Sequence, residues 1–237
     1  MICPWTATLS VNAGLALRSE DLCVWIDALH DEKVPDFSTM TPERQEALFA
    51  SPAFRDPDLI CFTHCHPDHY SRTLCARAER TYPDARVALP EPWRPEQIRL
   101  SGTETLLTVK GRLFCFRRLT HEGEQYALVP HYGLMIEDEG DRLLVLGDCA
   151  PQSPEVREWT AGLQIDTAVV TFPWITLPRG RAFLTGELRP RQLVVYHLPL
   201  AEDDVYGYRK AARKAADALT GFDSVQLLTE AFQTIEL

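Results

Sequence analysis

No stretch of this chain approaches the roughly 18 consecutive apolar residues of a membrane helix, so no membrane span is expected. Positive charge is scarce. Lys and Arg number 24 against 34 Asp and Glu, a formal net charge of −10, which disfavours a broad nucleic-acid surface because such a chain repels phosphate backbones. The seven cysteines are scattered, odd in number and without CxxC spacing, which argues for free thiols and a reducing, cytoplasmic location. The start, Met-Ile-Cys-Pro-Trp-Thr, lacks a basic segment and an apolar stretch, so no signal peptide is expected. No GxSxG signature, low-complexity segment, domain linker or internal repeat is present.

What is there is average globular composition, 45% hydrophobic and 24% charged over 237 residues, which fits one domain spanning 1–237. Trp5 to Val11 alternates as a strand, Asn12-Ala13-Gly14 signals a turn, and Gly14 to Arg18 reads as the returning strand. Leu22 to Ile26 and Leu59 to Phe62 are short apolar runs of buried-strand type. Thr41-Pro42-Glu43 opens a helix, with Thr as N-cap and Pro in the first turn. A second helix is predicted from about Asp68 to Arg80. A third is predicted over Asp204 to Leu219, where Val205, Tyr208, Ala212, Ala215 and Leu219 share a face. Further strands are expected at 87–89, 103–109, 113–119, 134–137, 142–146, 168–172, 193–196, 225–228 and 232–235, with Glu139-Gly140-Asp141 as a hairpin turn. Strands in runs with interspersed helices suggest mixed sheets covered by helices.

Three histidines lie within six residues, in Thr63-His64-Cys65-His66-Pro67-Asp68-His69. In extended backbone alternate side chains share a face, so His64 and His66 can reach one metal ion. Asp68 and His69, in the first turn of the expected helix, point to a second place. Imidazole and carboxylate donors suit Zn, Fe or Mn better than Mg or Ca. Two further apolar strands end in ligand-type residues: Leu143 to Gly147 runs into Asp148, and Leu193 to Tyr196 runs into His197.

The segment from Thr63 to His69 resembles the THxHxDH motif of the metallo-β-lactamase superfamily of metal-dependent hydrolases. Gly147-Asp148 looks like that superfamily's metal-bridging aspartate and His197 like its last histidine. Asp27 looks like the early aspartate that supports the metal loop without binding metal. The resemblance implies an α+β fold, a four-layer αββα sandwich. It implies that His64, His66 and a mid-chain histidine hold a first ion, and that Asp68, His69 and His197 hold a second, with Asp148 bridging. For the mid-chain ligand, His121 at the end of a strand is favoured over His131, which would then contact substrate. His30 reads as a surface or supporting residue, Cys65 and Cys149 as packed thiols, and Arg209, Lys210, Arg213 and Lys214 as a solvated helix face. Residues 173–181 read as a loop, with Arg179 or Arg181 available to an anionic substrate.

The function so implied is a dinuclear metal-dependent hydrolase. A hydroxide generated on two divalent ions, foremost Zn with Fe or Mn as alternatives, would attack a small ester, lactone or phosphodiester. Asp68 would orient that hydroxide, and no serine or cysteine nucleophile is needed. Two alternatives stand beside it: a mononuclear iron oxygenase resembling persulfide dioxygenases, and a ribonuclease Z-like nuclease, which the net charge disfavours. The expected partner is a small-molecule substrate, with homo-oligomer formation left open.

Overall fold

The computed structural model describes residues 5–237, so the readings on the first four residues, Cys3 included, lie outside it. In chain order the strands are β1 (Thr6–Leu9), β2 (Leu15–Arg18), β3 (Cys23–Ile26), β4 (Leu59–Cys61), β5 (Arg86–Leu89), β6 (Ile98–Arg99), β7 (Glu104–Val109), β8 (Arg112–Arg118), β9 (Tyr132–Asp138), β10 (Asp141–Val145), β11 (Thr167–Thr171), β12 (Gln192–Tyr196), β13 (Ser224–Leu227) and β14 (Thr234–Glu236). The helices are α1 (Pro42–Ala50), α2 (Arg72–Thr81), α3 (Pro154–Thr160), α4 (Pro173–Thr176), α5 (Pro178–Phe183) and α6 (Tyr208–Asp217). These elements fall into two compact units. One comprises Met1–Leu100, His197–Tyr206 and Leu228–Leu237, and the other Ser101–Tyr196 and Gly207–Leu227.

The first unit holds a seven-stranded sheet in the order β14-β1-β2-β3-β4-β5-β6. Pairing is antiparallel from β14 to β3 and parallel from β3 to β6. α1 and α2 contribute Leu48, Leu74, Cys75 and Ala78 to a core built on Trp25, Ile60, Phe62, Val87 and Leu89. Trp25 sits at its centre, with the rings of Phe54 and Tyr82 edge-on at 5.6 and 5.5 Å. The alternate residues Val24, Ile26, Leu59 and Cys61 are as deeply buried, which is why these strands read as continuous apolar runs instead of alternating ones.

The second unit holds a seven-stranded sheet in the order β13-β12-β11-β10-β9-β8-β7. It too pairs antiparallel over one half, β7 to β10, and parallel over the other, β10 to β13. Both sheets thus share one pairing scheme with no repeat in the sequence to announce it. Asp27 follows β3 and Gly147-Asp148 follows β10, each the strand at which the pairing changes sense. The segment Thr63 to His69 follows β4 and His197 follows β12, so these candidate ligands lie past the carboxyl ends of parallel strands, where open sheets place ligands.

Three expectations are corrected. α2 starts at Arg72, capped by Ser71, whose Oγ accepts from Leu74 N at 3.2 Å; residues 67–70 form a turn held by His69 N and Tyr70 N donating to His66 O at 3.0 and 2.9 Å. Pro67 therefore initiates a tight turn, and Asp68 and His69 precede the helix. Residues 173–181 are not a loop but the short helices α4 and α5, each opened by a proline whose fixed φ suits a first helical turn. α6 begins at Tyr208 because Gly207 adopts φ 74, which leaves Val205 outside the helix and exposed; the buried residues of α6 are Ala212 and Ala216.

Candidate metal centre

Asp27 is fully buried directly past β3. Its Oδ1 accepts from Thr63 N at 2.7 Å, and its Oδ2 accepts from Thr63 Oγ1 at 2.6 Å. The same Oδ2 faces His69 Nδ1 at 3.0 Å. An ionised carboxylate only accepts, so His69 carries its proton on Nδ1 and keeps a lone pair on Nε2. The Thr63 hydroxyl spends its single donor on Asp27 and therefore accepts from His64 Nδ1, 2.9 Å away. His64 is left with a bare Nε2 as well. One carboxylate thereby sets the tautomer of two imidazoles, one directly and one through a threonine, as the supporting shell of a metal site does.

His69 Nε2 lies 3.0 Å from His197 Nε2, and Asp68 Oδ2 lies 3.8 Å from the former and 3.6 Å from the latter. All three residues are buried, and their donor atoms fall within 4.8 Å of one another. Two imidazoles and a carboxylate converging in this way are the donor set that zinc, iron and manganese take. Asp27, His64 and His69 are equally close, but both Asp27 oxygens are already engaged. The His64 ring lies 4.0 Å from that of His69 and 4.6 Å from that of His66, which is half-buried. Phe37 packs edge-on against His197 at 4.6 Å.

The backbone is unusual at two of these positions. Asp27 has φ 51 and His197 φ 61, the left-handed region that few residues other than Gly enter, though Asn, Asp and His do so more readily than the rest. Such residues cost of order 1–3 kcal/mol and persist where the surroundings fix them, commonly at functional sites.

In the second unit, His121 pairs as an isolated bridge with Cys149, and its Nδ1 donates to Glu122 O at 2.7 Å. Its bare Nε2 lies 3.8 Å from Asp148 Oδ2. Gly147, at φ 55, turns the chain after β10 so that Asp148 follows the strand end. His131, fully buried, places its ring 5.5 Å from that of His121. Cys149 is buried, and burial raises its thiol pKa, as expected of a packed thiol. Cys65 packs against the core of the first unit, where burial pushes it to about 12.

His30 is not a surface residue. It is fully buried, its Nε2 lies 3.1 Å from Val11 O, and burial lowers its pKa to about 4. The guanidiniums of 173–181 are engaged within their own unit: Arg179 pairs with Glu122, and Arg181 Nη1 donates to Ile175 O and Thr176 O at 2.9 and 2.7 Å, closing α4. Sequence reasoning missed the relay role of Thr63 and the burial of Asn12. Thr63 lay inside the motif and was open to notice; Asn12 gave only a turn signal.

No protein-family profile matches the chain, and no curated protein matches it. Solved structures do. YhfI from Bacillus subtilis, a metallo-β-lactamase fold protein, matches with a TM-score of 0.61 at 12% identity over 99% of both chains. The isothiocyanate hydrolase from Delia radicum gut bacteria matches with a TM-score of 0.68 at 16% identity, over 97% of this chain and 98% of that one. CmlA, a diiron β-hydroxylase from Streptomyces venezuelae, matches with a TM-score of 0.70 at 15% identity over 100% of this chain; the present chain spans 55% of that protein, about half its length. By these likenesses and its two mixed sheets with their helices, the chain has the metallo-β-lactamase fold, of the α+β class.

Proposed function

We propose that this protein is a metal-dependent hydrolase acting on a small ester, lactone or phosphodiester. The observation that carries the reading is the Asp27 network, which leaves the Nε2 atoms of His64 and His69 unprotonated and sets the second beside His197 and Asp68. By motif order, His64, His66 and His121 would hold one divalent ion and Asp68, His69 and His197 another, with Asp148 as a further carboxylate ligand. The 3.8 Å approach of His121 Nε2 to Asp148 supports His121 as the mid-chain ligand, with His131 left as a substrate contact. Bound divalent ions lower the pKa of a coordinated water towards neutrality and polarise the scissile group. Asp68 accepts a hydrogen bond from the attacking water and so orients it. Asp27 holds the imidazoles in place from behind. The hydrolase among the similar structures agrees with this reading. No helix of the described residues is long and apolar enough to cross a membrane.

An iron oxygenase is the second reading, favoured by the likeness to a diiron β-hydroxylase. The test is metal analysis of protein purified without chelators, combined with assays on lactones, thioesters and bis-p-nitrophenyl phosphate and with an oxygen electrode. Two ions per chain, predominantly zinc, with hydrolysis and no oxygen uptake is the expected result. Bound iron, with oxygen consumption and no hydrolysis, overturns it in favour of the oxygenase.

A further inference from the structure

The turn Ser10 to Gly14, between β1 and β2, enters the neighbourhood of the candidate ligands and has no part in the reading above. It is tightly built. Ser10 N donates to Gly14 O at 2.8 Å, and Gly14 N donates to Val11 O at 3.1 Å. Gly14 lies against the segment after β3, since a Cβ there would come within 2.7 Å of Ala28 Cα and 2.9 Å of Asp27 O. The buried His30 Nε2 lies 3.1 Å from Val11 O and anchors the turn from the same segment. Between these fixed points stands Asn12, fully buried and at φ 54.

The side-chain amide of Asn12 faces Asp68. Its Nδ2 lies 3.5 Å from both Asp68 Oδ2 and Asp68 O, while its Oδ1 meets no donor among the described residues. Two acceptors on one side fix which end of the amide is the nitrogen, because a flip would set oxygen against oxygen. A buried amide with half its capacity unused is destabilising. An apolar side chain at this position would not bear that desolvation cost. The oxygen that Asn12 addresses is also the one that faces His69 Nε2 and His197 Nε2. Both contacts are long, so the amide steers the carboxylate more than it binds it.

We propose that Asn12 is a positioning residue for Asp68: from the β1–β2 turn its amide selects the carboxylate orientation that presents Oδ2 to His69 and His197. This rests on Asp68 acting at the metal centre proposed above. Asn12→Gly removes the amide and keeps a residue at ease at positive φ. In a competition titration with cobalt, wild type takes up two ions, and Asn12→Gly binds the second about 10–100-fold more weakly, the loss typical when a group supporting a ligand is removed. The visible spectrum of the second cobalt equivalent changes, while the urea midpoint of the apoprotein stays near wild type. In an Asp68→Asn background the further effect of Asn12→Gly on cobalt affinity disappears, because both substitutions act through one carboxylate. Should glycine loosen the turn, Asn12→Asp has the same shape, tolerates the same φ and replaces the donor by an acceptor; an altered second-equivalent spectrum is again expected. Unchanged cobalt affinity and spectrum in both folded variants, or a loss that adds fully to that of Asp68→Asn, overturns the proposal and leaves the hydrolase reading standing. A wild-type protein that binds no cobalt overturns both.

Discussion

Asp27 does more than its place after a strand suggests. It reaches His69 directly and His64 through Thr63, so a single charge orients two imidazoles. Asp27→Asn keeps the shape and the tolerance of φ 51 but offers one acceptor oxygen and no charge. Metal affinity is expected to fall about 10–100-fold, with the protein still able to fill its sites at high metal concentration; a zinc titration monitored by a chelating dye measures this. His121 and His131 separate by the same approach. His121→Ala is expected to lose one equivalent of metal, because its Nε2 is the nitrogen turned to Asp148. His131→Ala is expected to retain metal and to lose turnover alone. Normal metal content in the first variant with depletion in the second would reverse the assignment.

Elements are positioned by features as local as a proline or a glycine. α4 and α5 meet at a corner where Gly180 lies against the backbone of Trp174, and a Cβ at 180 would come within 2.4 Å of Trp174 O. Backbone cannot swing aside as a side-chain tip does, and Trp174 is itself fully buried with Phe183 edge-on at 5.8 Å. Gly180→Ala is expected to destabilise by about 1–3 kcal/mol through overpacking. Gly186, in the helical turn Leu184–Leu188, has open space where a Cβ would go, so Gly186→Ala is expected to be neutral or mildly stabilising. Urea denaturation of the two variants beside wild type checks the pair, and equal midpoints would show that the corner yields easily.

For the molecule as a whole, the candidate ligands set metal binding and folding in linkage. A cation that binds only the folded chain adds stability according to its excess over Kd, about 2.7 kcal/mol at a hundredfold excess. For a chain of this length that corresponds to a rise in Tm of roughly 5–10 °C. Thermal unfolding of chelated and zinc-loaded protein at pH 7 is expected to differ by about that amount, with the gap narrowing in a variant lacking both His69 and His197. The formal charge of −10 works in the same direction, because added divalent cations reduce self-repulsion in the compact state. Magnesium, which shares that general effect but not the preference for imidazole, separates the two contributions.

The sequence by itself determined the chemistry-bearing segment Thr63 to His69, most of the strands, and the cap and first turn of α1, where Thr41 Oγ1 accepts from Arg44 N at 3.4 Å. These are legible because they depend on residues a few positions apart: a two-residue period, a capping offset, a cluster of donor types. Tertiary structure decided the rest. That Pro67 opens a turn instead of a helix depends on where Ser71 is held, its N donating to Leu29 O across the isolated bridge of Leu29 with Tyr70. That Asp27 serves residues 63 and 69 and that Asn12 faces Asp68 follow from strand order and register, with β1, β2, β3 and β4 side by side. These contacts, and that of His69 with His197, join residues 36 to 128 positions apart in the chain, and no local period encodes which of them will meet. The two sheets with one pairing scheme are hidden for the same reason. The inner strands, such as β3, β4, β11 and β12, need only to be apolar enough to be buried on both faces, a demand that many unrelated sequences satisfy.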